Sequence, residues 1–175
     1  MNIDKDKTGY KPVKGIIFDM DNTLYNFFDA KMLACNRAAD IIGAGSGDEL
    51  FRYFLSGKHG FEDIENIRDF MNDKDVLSED IFSEASAVYE EIKLASITPY
   101  PGVMELIPAI AGTGIGMTIV TDAGSRQARE RLTKIGLYHH FQSVVTPDIT
   151  GKRKPDPANF YNAMEIMKTV PEETM

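Results

Sequence analysis

Gly15-Ile16-Ile17-Phe18-Asp19-Met20-Asp21-Asn22-Thr23-Leu24 is the stretch on which the fold turns. Four residues suited to a buried strand run into two aspartates spaced i, i+2, and a threonine follows two residues later. Carboxylates are costly to bury without a cation or a hydrogen-bonding partner. Two of them at the carboxyl end of an apolar strand suggest a metal or phosphate site, because ligands bind at that edge of open α/β sheets. The same residues can also cap the next helix or close a turn. These ten residues alone do not choose between the two.

Outward from this strand, placed at 14–19, the pattern becomes helical and stays so from about 26 to 97. Phe27, Ala30, Ala34, Ala38, Ile41 and Ile42 form one apolar stripe, with Gly43 as its stop. Cys35 lies in the same pattern and reads as a small core residue. Ser46 with Glu49 fits a capping box ahead of Leu50, Phe51, Phe54 and Leu55. Phe61, Ile64, Ile67, Phe70 and Met71 form a third stripe, and Ile81, Phe82, Ala85, Val88, Tyr89 and Ile92 a fourth. The acids of 62–91 read as solvated charge on polar helix faces. Thr98-Pro99-Tyr100-Pro101-Gly102 then punctuates the chain.

After that turn, helices and strands alternate. Helices are expected over about 103–111, Ser125–Ile135 and Pro157–Lys168, with strands over Met117–Val120 and near Ser143–Val145. Alternation of this kind implies a parallel sheet with crossover helices. The domain expectation is an α/β core from 1–24 and 98–175, interrupted by a four-helix insertion at 25–97. Residues 1–13 read as a loose polar tail without the apolar segment of a signal peptide.

Composition sets limits. The 175 residues are 43% apolar and 26% charged, with a net charge of −8. Such a balance argues against a nucleic-acid or anionic-membrane partner. Cys35 is the only cysteine, so no internal disulfide or cysteine metal cluster is available. No apolar run approaches the ~20 residues of a membrane span. The expected location is the cytoplasm.

Two more features follow in order. The second strand runs into Val120-Thr121-Asp122-Ala123-Gly124 and then directly into a helix. Thr121 has a hydroxyl to donate there, and the helix N-terminus offers backbone N–H groups to an anion. A helix cap by Thr121, Asp122 or Ser125 accounts for the same residues. Next comes Gly151-Lys152-Arg153-Lys154-Pro155-Asp156-Pro157. Two prolines stiffen the turn, and Pro157 suits the first turn of the last helix. A lysine held there projects a fixed charge, although a solvated basic loop has the same composition.

Taken in order, strand-Asp-x-Asp-x-Thr, strand-Thr and Lys-Pro-x-Pro before a helix resemble the haloacid dehalogenase superfamily. The likeness runs from about Lys14 to the end of the sequence and includes the helical insertion. It implies a Rossmann-like parallel-sheet core with an all-helical cap over 25–97 that sets substrate choice. It implies a Mg²⁺-dependent phosphatase acting on a small phosphorylated metabolite through an aspartyl-phosphate. In that scheme Asp19 is the nucleophile. Asp21 is the acid for the leaving alcohol and then the base for water. Thr121 holds a phosphoryl oxygen, and Lys154 neutralises charge in preference to Lys152. Met20, Thr121, Asp122, Ala123 and Lys154 are the implied phosphate-binding positions. Mg²⁺ would take a carboxylate oxygen of Asp19 and the main-chain carbonyl of Asp21, hard donors that suit it.

Asp21 favours phosphoryl transfer over dehalogenation, since a departing halide needs no proton. Asn22 stands where glycine is common. The alternatives are a phosphate-binding or interaction protein on the same fold, or a phosphomutase or phosphonatase. A phosphonatase would need a Schiff-base lysine in the insertion, where Lys31, Lys58, Lys74 and Lys93 lie.

One departure concerns the end of the sequence, Val170-Pro171-Glu172-Glu173-Thr174-Met175. The superfamily has a fourth motif, an acidic cluster beyond a further strand, which is expected after this point. The expectation is a core truncated at its C-terminus, whose first strand presents an open apolar edge. Through that edge a homodimer becomes an alternative to a monomer.

Two features are set aside. Gly112-Thr113-Gly114-Ile115-Gly116 resembles a nucleotide-binding loop but precedes a strand, whereas the dinucleotide fingerprint follows one. His139-His140 has no third ligand near it in the sequence.

Overall fold

In the computed structural model, which describes residues 11–56 and 58–175, three parallel strands form one sheet. They are β1 (Gly15–Phe18), β2 (Gly116–Val120) and β3 (Ser143–Val145), in the order β1-β2-β3. Phe18 stands opposite Ile119, and Val120 opposite Val145. This register brings the carboxyl ends of β1 and β2 side by side, strands being about 4.8 Å apart in a sheet. The expected N-terminal tail falls mostly on residues 1–10, outside the described residues.

The chain divides into two compact units, one of residues up to Leu24 with Pro99–Met175, the other of Tyr25–Thr98. The helical unit holds α1 (Phe27–Ile42), α2 (Gly47–Leu55), α3 (Glu65–Asp73) and α4 (Glu79–Ala95). Its helices start and stop where local chemistry dictates. The Asn26 side chain caps α1 at Asp29 N, and Gly43, at φ 72°, ends it. Ser46 and Glu49 form the capping box that opens α2. Leu50, Phe54, Ile67, Phe70, Ala85 and Tyr89 make a buried centre. There the rings of Phe54 and Tyr89 stack 4.9 Å apart. Cys35 is buried beside them.

The α/β unit holds the sheet with α5 (Val103–Ala111), α6 (Ser125–Lys134), α7 (Pro147–Thr150) and α8 (Ala158–Met167). Ala163 of α8 packs on Val120 and Val145.

Several expectations are corrected. β1 stops at Phe18, so Asp19 stands just beyond the strand. Phe61 and Ile64 precede α3, which begins at Glu65. The four-residue α7 and the 3₁₀ turns at Tyr138–His140 and Pro171–Glu173 are too short to leave an apolar period in the sequence. The outer edge of β1 is not bare. Lys14 N donates to Glu173 O (2.8 Å), Met175 N to Gly15 O (3.0 Å), and Ile17 N to Met175 O (2.8 Å). The last residues of the chain therefore pair with β1 on the side away from β2. Among the described residues, no helix is long and apolar enough to cross a membrane.

Candidate active site

The turn after β1 is closed by Thr23 N and Leu24 N, which both donate to Met20 O (3.2 and 2.9 Å). It needs a left-handed residue, and Asn22 supplies it at φ 60°. Asparagine tolerates that region better than other residues with a side chain, which accounts for its standing in for glycine. The turn leaves both carboxylates beyond the strand. Asp19 Oδ2 accepts from Thr23 Oγ1 at 2.8 Å, and Asp19 Oδ1 accepts from Lys154 Nζ at 2.5 Å. The Asp19 side chain is 40% exposed and that of Lys154 28%, so the pair is open to a ligand.

Lys154 reaches Asp19 from a loop that is pinned at several points. Asn159, buried at the start of α8, donates through Nδ2 to Lys152 O (3.2 Å). Its Oδ1 accepts from Thr150 Oγ1 (2.5 Å). Lys154 N donates to Asp122 Oδ1 (2.8 Å), which ties this loop to the one after β2. The Lys154–Pro155 bond is cis. Lys152 points elsewhere, its Nζ 3.9 Å from Asp156 Oδ2.

Thr121 is buried at the end of β2, next to the strand end that carries Asp19. Its Oγ1 accepts from Ala123 N (3.2 Å) and so keeps its own hydrogen to donate. One amide at the N-terminus of α6 is already taken. Ser125 N donates to Asp148 Oδ2 at 2.6 Å, so a carboxylate already sits on that amide. This bond holds the Asp148 carboxyl below the usual carboxylate range.

Asp21 is drawn to a partner that the sequence did not announce. Arg131 Nη1 donates to Asp21 Oδ1 at 3.1 Å and to Oδ2 at 2.9 Å. Arg131 and Asn159 had no place in the sequence pattern, and Thr23 stood in it without a role. Thr23, four residues after Asp19, was the one with a local signal. Arg131 sits at a position one turn from Ala128 and beside Leu132, and only its place on the apolar face of α6 marked it.

The remaining expectations resolve simply. The rings of His139 and His140 lie with centroids 4.0 Å apart at a tilt of 41°, and burial pushes the His140 imidazole down, with His139 adding to the effect. Among the described residues, no group of three or more His, Cys, Asp or Glu could hold a metal. The Asp19 carboxylate and the Asp21 carbonyl are hard oxygen donors. They fit Mg²⁺, which is commonly held by one or two carboxylates with substrate phosphate and water completing the shell.

Residues 16–175 match the sequence profile of the haloacid dehalogenase-like hydrolases. The chain is 26% identical to a glyceraldehyde 3-phosphate phosphatase of Methanocaldococcus jannaschii, covering 93% of this chain and 75% of that protein. It is 27% identical to a phosphoglycolate phosphatase of Thiobacillus denitrificans, over 94% of this chain and 74% of that one. A Thermotoga maritima structure described as a candidate β-phosphoglucomutase shares the fold at a TM-score of 0.80 and 23% identity, over 93% and 74% of the two chains.

Proposed function

This chain belongs to the haloacid dehalogenase-like hydrolase family, and from that membership we propose that it is a Mg²⁺-dependent, cytoplasmic phosphatase of a small phosphorylated metabolite. The observation that carries the proposal is the Lys154 ammonium on the carboxylate of Asp19, beyond the end of β1. A nucleophilic carboxylate meets a phosphate dianion only where cations offset the repulsion.

In this reading an Asp19 oxygen attacks phosphorus, the ester oxygen departs, and an aspartyl-phosphate remains. Lys154 stabilises charge on the phosphoryl oxygens, and Thr121 donates its hydroxyl to one of them. Asp21 protonates the leaving oxygen and later takes the proton of the attacking water. Mg²⁺, held by the Asp19 carboxylate and the Asp21 carbonyl, would supply further positive charge against the phosphoryl group. Met20, Asp122 and Ala123 are the neighbouring positions proposed to line the phosphate.

The test is turnover of 4-nitrophenyl phosphate, phosphoglycolate and glyceraldehyde 3-phosphate with and without Mg²⁺. Metal-dependent release of phosphate that is lost in Asp19→Asn supports the reading. Saturable binding of a phosphate analogue without release of phosphate from any of the three would favour a phosphate-binding protein instead.

A further inference from the structure

The turn between β1 and the helical unit carries two carboxylates, and they are held differently. Asp19 faces an ammonium that is itself 28% exposed. Asp21 faces Arg131, whose side chain is only 3% exposed, on the face of α6 that also buries Ala128 and Leu132. A guanidinium in such surroundings is tolerated when its charge is matched, and removing the match strands it. Both oxygens of Asp21 lie within hydrogen-bond distance of Arg131 Nη1. A general acid has to come within hydrogen-bond reach of the leaving oxygen. To do so, Asp21 must let go of Arg131 with at least one oxygen.

We propose that Arg131 is a positioning residue that restrains Asp21, and that the site is thereby biased toward phosphate compounds whose leaving oxygen departs without a proton. This rests on the phosphatase reading above and narrows its substrate class to aryl, enol or acyl phosphates over alkyl phosphates. For such a substrate the first step needs no acid. The Asp19–phosphorus bond forms, the phosphorus–oxygen ester bond breaks, and its electron pair leaves on the phenolate, enolate or carboxylate. In the second step water attacks the phosphorus of the aspartyl-phosphate. Its proton passes to an Asp21 oxygen released from Arg131 and on to solvent, and the Asp19 carboxylate is regenerated; this step is common to all substrates and leaves their kcat/KM ratio unaffected. An alkyl ester instead requires the Asp21–Arg131 contact to open before its alkoxide can be protonated.

The experiment compares kcat/KM for 4-nitrophenyl phosphate, phenyl phosphate and phosphoglycolate, with Mg²⁺, in the full chain and in Arg131→Met and Arg131→Lys. In the unaltered protein the aryl esters are expected to lead the alkyl ester by on the order of 10²-fold or more, the range a general acid contributes. Arg131→Met is expected to narrow that gap by about tenfold, because Asp21 is no longer held. Arg131→Lys, which keeps a cation at the position, should restore most of it. A purely structural role for Arg131 would lower all three rates together, and an unchanged aryl-to-alkyl ratio in Arg131→Met overturns the proposal. Should Arg131→Met fail to fold, as read by its thermal transition, Arg131→Gln, which keeps donors but loses the charge, decides by the same narrowing or by none. An unaltered protein that turns over phosphoglycolate as fast as 4-nitrophenyl phosphate also overturns it. No turnover of any ester by the unaltered protein defeats the phosphatase reading and this inference with it. Turnover with an unmoved ratio defeats the inference alone.

Discussion

Lys154 in the α/β unit and Lys31 in the helical unit each bring an ammonium onto an oxygen, in opposite surroundings. Lys154 meets the Asp19 carboxylate beyond a strand end, where both side chains remain partly exposed. Lys31 is wholly buried, donates to the Phe61 carbonyl, and lies over the rings of Phe54 (4.2 Å) and Phe61 (3.6 Å). Lys93 repeats the second arrangement, buried beside Glu90 (2.6 Å) and over Tyr89 (4.8 Å). An exposed pair contributes little to stability. On the function proposed above, its part is to present charge to a ligand. A buried ammonium against aromatic faces is shielded from ligands and acts on packing. If Lys154 acts as proposed, the contrast is between a cation placed for chemistry and cations placed for structure.

The largest expected effect tests the first half of this contrast. Asp19→Asn should lower turnover on the order of 10⁴-fold or more, as loss of a nucleophile does. Its thermal transition should move little, because the pair it breaks is half open to water. Phosphate release and a melting curve on the same preparation check both claims. Next in size, Lys154→Met should lower kcat/KM about 10²–10³-fold, the range for removing one electrostatic stabiliser. Equal loss in Lys31→Met would erase the distinction between the two lysines.

How much of this was legible depended on whether a signal was local. Asp19, Thr121 and Lys154 each sit where a strand or a proline-stiffened turn writes its own boundary into the sequence, so their convergence at one sheet edge could be read. The parallel sheet followed from alternation between Met117 and Lys168, and the capping box from Ser46 and Glu49. Arg131 could not be read, because an arginine on a helix is ordinarily solvent-facing and its partner lies 110 residues earlier. Lys31 and Lys93 failed for the same reason. A helical stripe assigns lysine to the polar face, and only packed rings show otherwise. The acids of 62–91 read as solvated charge, and those that find partners do so at the surface: Asp69 binds Lys58 and His59, and Glu79, 72% exposed, binds Arg68. The pairing of Met175 with Gly15 was equally silent, since three residues carry no strand period.

A smaller effect sharpens the structural half. Lys31→Met keeps the length of the side chain but removes the ammonium that donates to the Phe61 carbonyl and lies over two rings, so a buried acceptor loses its donor. Its stability to urea should fall by about 1–3 kcal/mol, while Phe54→Ala, which empties the ring beneath it, should cost about 3–5 kcal/mol. A Lys31→Met protein less stable than Phe54→Ala would show that the ammonium, not the aromatic packing, organises the helical unit.

The smallest effect asks whether that interior is dry. Burial pushes the Cys35 thiol from 9.0 up to about 12, against a partial opposing pull from Lys31 and Lys93. The folded protein therefore keeps this proton to higher pH than the unfolded chain does. Below pH 9.0 both states hold it and the contribution is fully present; between 9.0 and about 12 the unfolded chain has lost it, and stability falls as pH rises. The slope approaches about 1.4 kcal/mol per pH unit in that window. Urea midpoints of the unaltered protein and Cys35→Ala, taken from pH 8 to pH 11, isolate the effect. Tyr53, pushed up to about 12 by its hydrogen bond to Asp73, titrates alike in both proteins and cancels. The difference between the two curves should be flat to about pH 9 and then close in favour of the variant. A difference that stays flat throughout would mean that water reaches Cys35. The ammoniums of Lys31 and Lys93 would then be solvated too, and the contrast with Lys154 would be one of position alone.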